Sequence, residues 1–144
     1  MANSIQQAKI ASTPAQKVKT NELTGRVRVA FAEYEASAEQ STIHMFSLPN
    51  GARILSGRLA HDALGSSTTL SVGHNAYIDS SGSTVALDVD EFKAAASSAS
   101  ASSAAVATTI ALGENSVVNA DKDGIPVSVT LAGANGTGTI QLHM

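Results

Sequence analysis

Four histidines, His44, His61, His74 and His143, are the residue type best suited to hold a metal or move a proton, and their spacing suits neither task. None stands in an HxH or HExxH arrangement, which would aim two imidazoles at a shared ion from one strand or helix face. His61 and Asp62 are adjacent, but neighbours on a strand point to opposite faces, so they make a poor acid–base pair. Serine is abundant, yet no GxSxG elbow lifts one onto a strained turn as a nucleophile. Asp121-Lys122-Asp123-Gly124 has the start of a calcium loop. The further oxygen ligand before the glycine and the later glutamate that such a loop needs are missing. With Ile125, Pro126 and Val127 following, the segment reads as a β-turn. Gly133, Gly136 and Gly138 do not form GxGxxG and precede no helix, so they read as a hairpin tip and not as a phosphate cradle. Glu33 and Glu35 share a strand face, with Glu39 beyond them, and read as a solvated edge, not a glycosidase pair. There is no cysteine, which excludes disulfides and thiolate metal sites. No catalytic, cofactor-binding or metal-ligating residue is assigned, and a non-enzymatic protein needing no cofactor is expected.

Composition narrows the partners. The 144 residues suit one domain. Their 43% hydrophobic fraction is largely alanine, with only 3% aromatic residues, so the core is expected to be thin. Charged residues are 15%, against about 25% in an average soluble domain. So little charge suits faces partly covered by neighbours, and a small symmetric homo-oligomer, a trimer or a dimer, is expected. The net charge of −3 and the scattered basic residues argue against nucleic acid, which requires clustered Lys and Arg. No apolar run is long enough to span a membrane, and residues 1–20 lack the apolar core of a signal peptide. Synthesis in the cytoplasm and no membrane partner are expected.

The elements that would carry these residues read as strands. Residues 1–23 are polar and aperiodic, with isolated Ile5, Ile10 and Val18 among Lys9, Lys17 and Lys19; such a segment reads as an arm that takes its order from a partner. From Thr24, the residues Val27, Val29 and Phe31 alternate with Arg26, Arg28 and Ala30, the period of a half-buried strand. Further strands are expected at Thr42–Leu48, Ala52–Ala60 (with a bulge at Gly57), Thr68–Val72, Ala76–Asp79, Thr84–Asp88, Thr108–Leu112, Ile125–Leu131 and Thr137–Met144, the last two as a hairpin. Pro49-Asn50-Gly51 and Ser80-Ser81-Gly82 are expected turns. Val89–Ala96 is the expected helix, its Asp90 and Glu91 suiting the helix dipole. The second half of the Ala/Ser run 94–105 reads as a surface loop. Val27, Val29, Phe31, Ile54, Leu70, Val72, Val127, Val129 and Ile140 form the expected core. The fold class is all-β: an antiparallel β-sandwich or jelly-roll-like barrel over residues 24–144, with an extended N-terminal arm over 1–23 and at most one short helix.

The stretch Thr42–Gly73, TIHMFSLPNGARILSGRLAHDALGSSTTLSVG, resembles a pattern in small head structural proteins of tailed bacteriophages. The matching residues are Leu48, Pro49, Gly51, Ala52, Ile54, Ala63, Leu64, Gly65, Thr69, Leu70, Val72 and Gly73, and Thr137-Gly138-Thr139-Ile140 looks like the family's last strand. The resemblance implies a virion protein, a decoration (cement) protein bound to the head shell, with the major capsid protein of the same particle as partner. It also implies that Ile5, Lys9, Ile10, Lys17, Val18 and Lys19 of the arm contact that shell. A head–tail connector, a tail or other assembly protein, and an exposed carbohydrate- or receptor-binding module are the alternatives.

Overall fold

The computed structural model describes residues 4–17 and 26–144. Eight strands follow one short helix among them: α1 (Ile5–Ala11), β1 (Phe31–Leu48), β2 (Gly57–His61), β3 (Thr69–His74), β4 (Tyr77–Ile78), β5 (Thr84–Val85), β6 (Asp88–Ser97), β7 (Ser102–Val106) and β8 (Ile125–His143). The two long strands organise the rest. β1 and β8 pair antiparallel from Phe31↔His143 to Leu48↔Ile125. On its other edge the first half of β8 pairs with β3, which carries β6, and its second half pairs with β2, which carries β7. One ribbon thus carries two flanking strand pairs, β3–β6 and β2–β7, in a single six-stranded sheet that curls into a nearly closed antiparallel barrel. β4 and β5 form a separate small sheet.

The ribbon passes from one flanking strand pair to the other where its side-chain parity changes. Val127, Val129 and Leu131 are buried at odd positions, whereas Ile140 and Leu142 are buried at even ones. A period-2 strand can switch parity only by inserting residues, which is what a bulge does. The register accordingly slips between Ser37 and Ser41 of β1, with Glu39 opposite Gly136 and Ser41 opposite Leu131. Gly133, at φ +87°, lies in the inserted stretch, where a Cβ would meet the Ser67 carbonyl oxygen at 2.2 Å. The core inside the barrel gathers Ile43, Leu59, Leu64, Leu70, Val72, Phe92, Val106, Val127, Val129, Leu131, Ile140 and Leu142. Each contributes about 1.5–3 kcal/mol by leaving water. Ser98 Oγ donates to Thr68 Oγ1 at 2.9 Å inside it, so that this buried polar pair is satisfied.

The all-β class, the barrel-like closure and the single short helix agree with expectation, but several elements differ. Val89–Ala96 is not a helix: it lies within β6, whose Phe92 enters the core beside β3. Two turns of isolated helix are marginal in water, and pairing with β3 outweighs that local preference. The helix lies instead at Ile5–Ala11, where Ser4 Oγ accepts from the Gln7 N–H at 3.2 Å as N-cap. The second half of the Ala/Ser run is not a loop but β7, pairing with β2 from Gly57↔Val106 to His61↔Ser102. Its small residues let backbones approach closely. Gly57 marks such an approach and not a bulge, since a Cβ there would stand 2.7 Å from Met144 Cγ. Of Ala52–Ala60 only the part from Gly57 is strand; Arg53 makes a lone bridge to Val117. Thr108–Leu112 holds a 3-10 turn, Ile110–Leu112. The expected hairpin at Gly133–Gly136 is continuous strand: β8 runs unbroken from Ile125 to His143 and pairs with β1 on both sides of it. Val27, Val29 and Phe31 are not core but 77%, 69% and 60% exposed. The other six expected core residues are buried. Val18, Lys19 and the boundary at residues 23 and 24 lie outside the described residues.

Candidate functional site

The histidines are dispersed by the fold. His44 is exposed on β1 opposite Ser128. His61 Nδ1 lies 2.8 Å from the Asp62 carbonyl oxygen. His143 is exposed opposite both Phe31 and Arg58. His74 is buried, edge-on to Tyr77 at 5.1 Å and to Phe92 at 6.2 Å. Among the described residues no three His, Cys, Asp or Glu side chains gather to hold a metal ion.

The carboxylates serve turns and ladders. Asp79 accepts from the Ser81 hydroxyl at 2.6 Å and from the Ser81 and Ser83 N–H groups at 2.8 Å, tying the β4–β5 turn. The Ser81 hydroxyl, then the backbone bonds, holds its carboxyl below the ordinary 3.8. Asp88 is also lowered, chiefly by the Asp90 N–H and further by nearby His74. Asp121 Oδ1 accepts from the Asp123 N–H at 2.9 Å, the geometry of an Asx-turn. Glu33 accepts from Gln141 Nε2 at 2.6 Å and Glu35 from Thr139 Oγ1 at 2.8 Å, both across the β1–β8 ladder on the exposed face. Glu39 accepts from the Tyr34 hydroxyl at 2.5 Å, a bond that raises the phenol.

Two concave regions among the described residues take in few of these groups, His61 at one and Asp121 and Asp123 at the other. A cleft of about 70 Å³ lies where β6 and β7 fail to close the barrel, between Leu70, Lys93, Ser97 and Ser102. A shallower one of about 250 Å³ lies between Tyr77, Asp121, Asp123 and Pro126. Contact surface is better supplied. Val27, Val29 and Phe31 stand exposed where the chain enters β1, and Ile110 is 86% exposed at the 3-10 turn. The alternation of residues 26–31 was the available signal for the first of these; it marks a strand-like segment whose apolar residues face outward.

Of the arm residues expected to bind a shell, Ile5, Lys9 and Ile10 are on α1, with Lys9 in its last turn, where a cation suits the helix dipole. Lys17 follows a turn in which the Gln16 N–H bonds the Lys9 carbonyl at 2.9 Å.

No protein-family model matches the sequence, and no curated protein matches it. Two solved structures share the fold. A chain of the cyanophage Pam1 capsid asymmetric unit is 20% identical with a TM-score of 0.60, covering 92% of this chain and 92% of that one. A chain of the capsid of Ralstonia phage GP4 is 19% identical with a TM-score of 0.61, covering 89% of this chain and 88% of that one. The likeness spans nearly the whole length on both sides, so the fold of this chain is one that also occurs in phage capsid structures.

Proposed function

We propose that this chain is a non-enzymatic virion structural protein that binds the outside of a phage head shell as a decoration, or cement, protein. The observation that carries the reading is the fold shared with chains of two phage capsid structures over about nine-tenths of each chain. The side-chain chemistry is compatible with it: Asp79, Asp121, Glu33 and Glu35 serve turns and ladders, while Val27, Val29, Phe31 and Ile110 stand exposed. The partner is the major capsid protein of the same particle. The arm, residues 1–23, is the anchor. Ile5, Ile10 and Val18 fill small apolar pockets in the shell, and Lys9, Lys17 and Lys19 meet acidic groups on it. Ordering such a segment costs on the order of 1–2 kcal/mol per residue, which an extended contact with the shell offsets. Mixing purified protein with empty heads tests the proposal: the protein should co-sediment at a fixed ratio to the capsid protein. Protein left entirely in the supernatant would exclude the shell as its partner.

A further inference from the structure

The dipeptide Asn-Gly occurs at Asn50-Gly51 and again at Asn135-Gly136. In such a pair the glycine backbone nitrogen can attack the asparagine side-chain amide, since no Cβ on the glycine hinders the approach. The two pairs share this chemistry and differ in what surrounds them. Pro49, Asn50 and Gly51 are all exposed in a surface turn. The Ala52 N–H closes that turn on the Pro49 carbonyl at 3.1 Å, and Gly51 holds φ +80°, as the third residue of a type II turn does. A Cβ on Gly51 would meet nothing within 4 Å. The Gly51 N–H donates to the Val118 carbonyl at 2.9 Å, and Asn50 Oδ1 accepts from the Ala120 N–H at 3.4 Å. Gly136, by contrast, is buried within β8 and lies opposite Glu39 of β1. A Cβ there would stand 3.1 Å from Leu131 Cδ2 and 3.2 Å from the Leu64 carbonyl oxygen. The side chain of Asn135 is exposed, and its Oδ1 accepts from Gln40 Nε2 at 3.4 Å.

We propose that Asn50 is a site of spontaneous modification in the folded protein, converting to aspartate and isoaspartate through a cyclic imide, and that the fold spares Asn135. The Gly51 nitrogen gives its proton to solvent base and bonds to Asn50 Cγ, while the Cγ–Nδ2 bond breaks and ammonia leaves. Water then opens the ring at either carbonyl. Breaking the new bond between Cγ and nitrogen leaves aspartate. Breaking the original peptide bond leaves isoaspartate, with the main chain routed through the side chain. A water enters and an ammonia departs, and nothing is oxidised or reduced. Ring closure requires the backbone to leave its folded conformation. For Asn50 that takes the opening of a single surface turn, which frees the Gly51 N–H from Val118. For Asn135 it takes the opening of the β1–β8 ribbon at Gly136, where the chain packs on Leu64 and Leu131 of the core. Surface turns open at the low end of the free-energy range, whereas core strands open at a cost near that of global unfolding. The product places a carboxylate beside the Ala120 N–H and makes the chain, at −3 in its unmodified form, more acidic.

Incubation of the full chain in mildly alkaline buffer, folded and in urea, with mass spectrometry of its peptides over time, tests this. In urea both asparagines should convert at similar rates. In the folded protein Asn50 should convert at least about tenfold faster than Asn135. Its two isomeric products should elute as separate peptides, and the intact protein should gain a more acidic species on anion exchange. Asn50→Gln, whose longer side chain closes the ring poorly, should lose that species and keep the circular dichroism spectrum of the parent. Folded protein unchanged at Asn50 over a time that converts it fully in urea would overturn the proposal. So would Asn135 converting as fast as Asn50 in the folded chain, or an acidic species that persists in Asn50→Gln.

Discussion

The carbonyl oxygen of Ser67 stands 2.2 Å from where a Cβ on Gly133 would be, and Gly133 holds φ +87°. Contact and conformation both demand glycine at the point where the long ribbon passes from one flanking strand pair to the other. Gly133→Ala should therefore lower stability by at least about 2 kcal/mol. Gly51 is the control: its φ is +80°, but nothing lies within 4 Å of a Cβ there. Gly51→Ala should cost only the backbone strain, about 1 kcal/mol. Chemical denaturation of both variants checks the difference, and equal losses would show that the Ser67 contact is unimportant.

The position of Phe31 at the surface reverses what its alternation with Val27 and Val29 suggests. Ile140→Ala should cost about 2–5 kcal/mol, because it empties a fully buried site. Phe31→Ala, measured at low protein concentration, should stay within about 0.5 kcal/mol of the parent. Thermal midpoints of the two variants decide the matter; a large loss at Phe31 would return it to the core.

Strands whose burial follows a single period are legible in the sequence alone. Leu70 and Val72 alternate with polar residues in the sequence and both are buried, although the fold buries Ser71 and His74 of the same strand as well; Pro49-Asn50-Gly51 and Asp121–Gly124 turn where their glycines and Asx residues require. The long ribbon is not legible in that way, because Val129 and Ile140 belong to one strand with opposite parity. Only the register with β1 reveals the insertion between them. Asp90 and Glu91 look like a helix start locally and are overridden by pairing with β3. For the candidate surface, the alternation of residues 26–31 is visible in the sequence, but which way it faces is not. That direction depends on β8 ending beside Ala30.

Acid should loosen the β4–β5 turn. The Asp79 carboxyl is held below 3.8 in the folded chain by the Ser81 hydroxyl and the backbone N–H groups around it. A group lowered on folding contributes its stability above the unfolded value and loses it as pH falls through the folded one. Asp79→Asn should therefore lower stability near neutrality and flatten its fall below about pH 4. Urea titrations across that range check it; an unchanged acid limb would mean that Asp79 is not linked to folding.

Deleting residues 2–20 should leave the melting of the barrel nearly unchanged and sharply weaken attachment to empty heads. The lysine contribution should also fade as salt rises past physiological strength, where the Debye length is about 8 Å. Sedimentation with heads at two salt concentrations checks both points. Full occupancy by the truncated protein would remove the arm from the interface.

Attachment to the shell is most directly tested by locating the chain on intact particles with electron cryomicroscopy. The account predicts density fitting the β1–β8 barrel in many symmetry-related copies on the outer head surface, with the N-terminal segment running onto the capsid protein. Density confined to the tail vertex, or particles that lack the chain altogether, would contradict it.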